Sequence, residues 1–337
     1  MALPVINTER ISIEYRKRAI DLAGSRVLIT NFGGSQQERD LTEPANCKGF
    51  GRIRHFQRRS TSTWPANPLP IDPACHSLRL SAGESIRAQV FQNAVCNWRC
   101  WYCFVDFELL SANPKHSAWK GADDLIDCYL AQEDRPRIID LTGGQPDLTP
   151  EWVVWMFKAL CARGLIDGVY LWSDDNLSND YFWRFVEQSD QRMLAESAHY
   201  GRVCCFKGFS AESFAFNTMA APSLFDAQFE LFQRFAKLGM DAYAYVTLTT
   251  PTTGNLKEYM HKFIDRLQAI HPLLPLRTVP LEIRVFTPVA SRMDATNQVA
   301  LVNQSAAVEI WNSEIERRFT PSDRSLPIWD VGTLRRT

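Results

Sequence analysis

Three cysteines, Cys96, Cys100 and Cys103, fall in one short run, Cys96-Asn97-Trp98-Arg99-Cys100-Trp101-Tyr102-Cys103, separated by three and then two residues. A loop of that length can wrap its thiolates around one metal centre. A disulfide between two of them would leave the third without a partner. Soft thiolates select zinc, copper(I) or iron–sulfur clusters. A closed zinc or four-cysteine cluster site needs a fourth ligand, and none follows nearby. Three ligands on a four-iron cubane would leave one iron open, and an open iron implies chemistry. The competing readings are a zinc knuckle and cysteines packed as structure.

Other chemistry-bearing residues recur at the ends of β-rich runs. Leu141-Thr142-Gly143-Gly144-Gln145-Pro146 pairs two glycines that admit positive φ and let backbone approach a ligand, although a plain turn would use them too. Ser173, Asp174 and Asn176 close the next run, where helix caps and turns also favour such residues. Cys204 and Cys205 are adjacent on one strand, so one of them should face inward, and Lys207 follows at the strand end. Glu282 and Arg284 alternate on what reads as a last strand; on an inward face they must serve a ligand or each other.

The elements that must position these groups follow a regular order. Strand patterns cover residues 86–93, 137–142, 168–173, 202–206, 242–249 and 281–286. Amphipathic helical patterns lie between them at 122–132, 150–163, 180–188, 224–238 and 256–270, and a last one covers 305–318. Six βα units in a row imply a parallel α/β sheet with right-handed crossovers, and functional groups gather at the C-terminal ends of such strands.

The spacing Cys-x3-Cys-x2-Cys after a strand, with Tyr102 just before the last cysteine, resembles the signature of the radical S-adenosylmethionine (SAM) enzymes. The resemblance covers roughly residues 86–290 and implies an α/β fold, a partial (β/α)6 barrel with N- and C-terminal extensions. It implies that Cys96, Cys100 and Cys103 hold a [4Fe–4S] cluster whose open iron is chelated by SAM. Reduction then cleaves SAM to a 5′-deoxyadenosyl radical that abstracts hydrogen from a substrate. Gly143, Gly144, Gln145 and Pro146 resemble the family's Gly-Gly-Glu-Pro motif, which holds the SAM amino group, with Gln145 in place of Glu. If backbone alone binds SAM, that exchange is tolerated. Ser173, Asp174 and Asn176 are implied at the SAM ribose or carboxylate, Lys207 at the carboxylate, and Glu282 or Arg284 at SAM or substrate. Cys205-Phe206-Lys207-Gly208 is similar to the Asp-x-Lys-Gly of glycyl-radical-enzyme activases, the compact branch that the core most resembles, but lacks the Asp. A protein glycine, a peptide or a small metabolite is thus the implied substrate, and a flavodoxin or ferredoxin the implied electron donor. The alternative is a non-catalytic zinc-binding or interaction protein built on the cysteine loop.

The bulk properties bound these readings. The chain has 337 residues, 45% hydrophobic and 22% charged, which suits one βα barrel with extensions. A net charge of −1 gives no broad pull towards nucleic acid. No run of about 18 apolar residues appears, and the first residues lack an apolar signal core, so a cytoplasmic protein without membrane partners is expected. Nine cysteines, an odd count, argue against a disulfide framework; Cys128 and Cys161 read as helix core, and a second metal at Cys47, Cys75 and His76 is disfavoured by their spacing. The expected division is an N-terminal extension over 1–85, the barrel over 86–290, and a C-terminal helix and tail over 291–337. Within the extension, residues 8–23 read as a helix and 26–31 as a strand. Arg52, Arg54, Arg58 and Arg59 read as a solvated loop, or else a contact for phosphates or an acidic peptide. Residues 64–73 read as a proline-rich connector, and 212–221 as a loop placed to cover a substrate.

Overall fold

The computed structural model describes residues 5–332. The ends of the expected extensions, residues 1–4 and 333–337, lie outside the described residues. Among the described residues ten strands follow in chain order: β1 (Ile20–Asp21), β2 (Arg26–Thr30), β3 (Gly51–Gln57), β4 (Ser85–Phe91), β5 (Ser117–Gly121), β6 (Ile138–Leu141), β7 (Tyr170–Asp175), β8 (Tyr200–Phe206), β9 (Ala242–Thr247) and β10 (Thr278–Leu281). Seven of them form one sheet in the order β10-β9-β8-β7-β6-β4-β3, and β1, β2 and β5 form a small second sheet.

From β4 to β10 every neighbouring pair in the large sheet is parallel. The six parallel strands are joined by helices, among them Ala122–Leu130, Glu151–Ala162, Leu224–Leu238 and Leu256–Ile270. This is the α/β partial barrel expected from the sequence. The outer face carries Leu141, Leu171, Phe206 and Val246, packed against helix residues such as Phe232 and Phe263. The inner face is filled below the strand ends by Tyr170, Trp172, Val203 and Tyr243, and the helix Ile71–Ser77 plugs that end with Ile71 and Ala74. Plugging one end leaves the other as the place for a ligand. Among the described residues no helix is long and apolar enough to cross a membrane.

Four expectations are corrected. The basic run read as a solvated loop is strand β3, antiparallel to β4 across Gly51↔Phe91 to Gln57↔Ser85. Its charges had hidden a strand because they turn inward, Arg54 to the carboxylates of Asp140 and Asp174 and Arg52 to the cavity wall. The last strand ends at Leu281, and Glu282 and Arg284 follow it in irregular backbone. The segment read as a covering loop is helix Ala211–Thr218, with Ser210 and Ser213 capping its start reciprocally. The pattern over 180–188 divides into helices Tyr181–Phe185 and Gln188–Glu196. The connector after β3 bridges towards the far edge of the barrel: Asn67 N–H bonds the Gln57 carbonyl at 2.8 Å, Leu69 N–H reaches the Tyr245 hydroxyl at 3.0 Å, and Trp64 packs on Phe286 at 5.3 Å.

Candidate active site

The cysteine loop leaves the C-terminal end of β4 and is tied down from four directions. Trp98 Nε1 donates to Thr8 Oγ1 (3.1 Å) and Asn97 Nδ2 to Ser12 Oγ (2.8 Å), fastening it to the helix Thr8–Ala19. Trp101 Nε1 donates to Asn217 Oδ1 at 3.0 Å. The Tyr102 hydroxyl shares a 3.0 Å hydrogen bond with Thr247 at the end of β9. Arg292 donates to the carbonyls of Cys103 (2.6 Å) and Val105 (2.9 Å). The buried indoles of Trp98 and Trp101 and the phenol of Tyr102 thus each find a partner, which is what lets so aromatic a loop hold one shape.

Cys96, Cys100 and Cys103 all line one cavity of about 630 Å³ at the strand ends, a usual size for a small-molecule site. All nine cysteines are free thiols. Burial pushes the Cys100 thiol up to about 12, with Lys207 pulling it down and Cys96 and Cys103 adding to the rise. Burial likewise raises Cys103. Among the described residues no three His, Cys, Asp or Glu side chains close on a single-ion position. The thiols stand around the cavity wall, and a donor set of thiols alone suits iron–sulfur ligation.

The glycine turn follows β6. Gly143 and Gly144 have φ of 72° and 68°, and a Cβ on Gly144 would collide with the carbonyl oxygens of Asn93 and Val95. The turn therefore packs directly against the start of the cysteine loop, and Gln145 N–H bonds the Val95 carbonyl at 2.7 Å. The Gln145 side chain is fully engaged: Nε2 donates to Asp175 Oδ1 at 2.7 Å, and Oε1 accepts from the Asn176 N–H at 3.0 Å. Asp175 is itself buried beside Asp147, and Arg202 answers both, bonding Asp147 at 2.8 and 3.0 Å and standing 3.5 Å from Asp175. Burial and Asp147 push Asp175 up to about 7, against Arg202 and Gln145. Asp175 thus explains the glutamine: a glutamate at 145 would set a second carboxylate against it. Pro146 is buried and opens the 3-10 turn Pro146–Leu148 without lining the cavity.

Alternation along β7 sorts the next group. Asp174 faces the cavity, whereas Ser173 points outward and hydrogen-bonds the Tyr200 hydroxyl at 2.8 Å, so Ser173 does not reach the cavity as expected. Asn176 lines the cavity and donates to Asn97 Oδ1 at 3.1 Å. Asp174 Oδ1 and Asn176 Oδ1 are buried with no hydrogen-bond partner, leaving two acceptors for a polar ligand. On β8, Cys205 is the inward thiol, and Lys207 lies within electrostatic reach of Cys100 and Cys96. Glu282 and Arg284 pair with each other at 2.8 Å on the cavity rim, tied to the connector through Ser60 Oγ and the Thr61 carbonyl.

Three groups have settings that the sequence did not specify, Arg52 and Arg54 having been read as solvated or else as a contact for phosphates or an acidic peptide. Asn217, read as part of a covering loop, is a buried hub that accepts from Trp101 and Thr249 and donates to the Lys207 and Thr249 carbonyls. Arg54 crosses above Ala88, its small partner on β4, to pair with Asp140 at 3.0 Å and Asp174 at 3.5 Å. Burial and Asp174 push Asp140 up to about 7 against the pull of Arg54. Arg52 lines the cavity near Cys103. The period-two alternation of Arg52, Arg54 and Phe56 was the available signal.

No protein-family model matches the chain, and no curated protein is similar to it. Among solved structures, Streptococcus suis SuiB is similar at 14% identity with a TM-score of 0.47, over 69% of this chain and 47% of that one. SuiB bound to S-adenosylmethionine gives 15% and 0.45, over 66% and 46%. SuiB bound to the precursor peptide SuiA gives 16% and 0.39, over 54% and 36%. The chain therefore spans less than half the length of these structures.

Proposed function

We propose that the protein is a radical SAM enzyme. The observation that carries this reading is the meeting, at the open end of a βα barrel, of three cavity-lining thiols with a glycine turn and two unpartnered acceptors. Bound together, a [4Fe–4S] cluster and SAM supply hydrogen-atom abstraction by a 5′-deoxyadenosyl radical. The chain's own residues hold and orient. Cys96, Cys100 and Cys103 are the ligands, on a loop braced by the Tyr102–Thr247 and Trp101–Asn217 hydrogen bonds. The backbone of Gly143 and Gly144 receives the SAM amino group, kept in position by the side-chain bonds of Gln145 to Asp175 and Asn176. Asp174 and Asn176 accept from the ribose, and Lys207 takes the carboxylate. The Glu282–Arg284 pair and the connector wall the cavity and exclude water. The substrate is a protein glycine, a peptide or a small metabolite, and a cytoplasmic flavodoxin or ferredoxin is the electron donor.

Anaerobic purification and reconstitution, followed by dithionite reduction with SAM, tests the reading. Brown protein with about four irons and four sulfides per chain, forming 5′-deoxyadenosine, is expected. Cys100→Ala should lose both the iron and the product. Colourless protein that retains one zinc and forms no product would overturn it.

A further inference from the structure

Most charged groups on the cavity wall are already answered: Arg54 by Asp140 and Asp174, Asp175 by Arg202, Arg284 by Glu282, and His55 by Glu43. Arg52 is not. It is 6% exposed, it lines the cavity, and its Nε and Nη2 have no hydrogen-bond partner. No carboxylate stands within ion-pair distance of it among the described residues. Its guanidinium lies 5.9 Å from the Phe32 ring and 5.3 Å from the Phe104 ring. Those contacts favour a cation but leave the planar donor fork unfilled. Folding that buries a guanidinium without an acceptor is costly, so the group is held for something that arrives later.

From this geometry we infer that Arg52 is the anion-recognition group of the substrate, binding a carboxylate through its two-nitrogen fork. The inference rests on the reading of the cavity as a SAM site, because it assigns the remaining ligand. Lys207 already faces the thiols from the end of β8. Arg52 sits on β3, four strands away in the order β8-β7-β6-β4-β3. Both line the cavity, and each offers its own place to an anion. Lys207, beside the thiols, serves the SAM carboxylate, and Arg52, set against the Phe32 and Phe104 rings, serves a second molecule that carries its own carboxylate. Bidentate recognition of that group would fix the substrate's orientation relative to the cysteine loop.

The test uses the reconstituted full chain, with Arg52→Gln and Arg52→Met as variants and glutarate and its neutral analogue glutaramide as probes. Calorimetry should show wild type preferring glutarate over glutaramide by tenfold or more. Both variants should lose that preference while SAM affinity stays within twofold. In the ligand-free protein Arg52→Met, which keeps an apolar contact with Phe32 and Phe104, should raise Tm by roughly 2–4 °C. A fall in Tm with no change in probe binding would make Arg52 a structural residue and overturn the inference. A tenfold loss of SAM affinity with probe binding unchanged would assign the carboxylate to SAM and overturn it equally. No discrimination between the probes by wild type would also overturn it. Failure of the radical SAM reading is seen separately, as an absence of 5′-deoxyadenosine from iron-loaded wild type.

Discussion

Gln145→Glu tests the reasoning about the glycine turn most sharply, because the change is one atom at a fully buried position. The substitution keeps the acceptor for the Asn176 N–H but removes the donor to Asp175, 2.7 Å away. Among the described residues Arg202 is the one cation paired with Asp147 and Asp175 there, so a third carboxylate arrives uncompensated. Two unit charges relaxing to about 4 Å repel by about 4 kcal/mol at an effective dielectric near 20. Sharing a proton relieves this, since a carboxylic O–H can donate to Asp175 as the amide did. The unfolded glutamate titrates near 4.3. Asp175 alone is already pushed up to about 7 in the fold. The shared proton is therefore bound far more tightly in the folded chain than in the unfolded one. A raised folded pKa means the penalty is absent below about pH 4, grows as pH rises through the neutral range, and is complete above the folded value. We expect a loss of about 1.6 kcal/mol at pH 5.5 and about 4 kcal/mol at pH 8. With an unfolding entropy of about 2.1 cal/mol/K per residue over 337 residues, the alkaline loss lowers Tm by roughly 6 °C. Thermal unfolding of both proteins by circular dichroism at the two pH values is the assay. Equal losses at both pH values, or a larger loss in acid, would refute the argument.

Two further substitutions probe the loop and its seat. Asn217→Ala strips partners from the Trp101 indole and the Lys207 carbonyl, buried groups worth about 1–3 kcal/mol each. It should lower the urea midpoint by the equivalent of about 3 kcal/mol and reduce iron loading; normal loading would show that the loop does not depend on this hub. Gly144→Ala forces a Cβ at φ of 68° into the Asn93 and Val95 carbonyls. It should cost more than about 2 kcal/mol in thermal unfolding and weaken SAM binding measured by calorimetry, whereas wild-type values would mean the turn can move aside.

The local elements and the motif positions were legible in the sequence, because they depend on short-range patterning. Helices Leu224–Leu238 and Leu256–Ile270 start and stop where their apolar spacing does. The cysteine spacing and the paired glycines marked the cavity wall, where three thiols and a turn at positive φ stand. Which side of a strand a residue faces also follows from parity once one inward residue is known, and this separates Asp174 from Ser173.

What only the tertiary structure decided are the groups whose meaning lies in distant partners. Arg52 and Arg54 look solvated in a row of charges, yet Arg54 is neutralised by carboxylates 86 and 120 positions further on, and Arg52 by none. Gln145 looks like a tolerated replacement until Asp175 is set against it. Asn217 looks like loop until Trp101 and Thr249 converge on it. Hydrophobic periodicity is written along the chain, but the cost of burying a charge or an amide is set by what stands across the barrel, and that is known only once the barrel has closed.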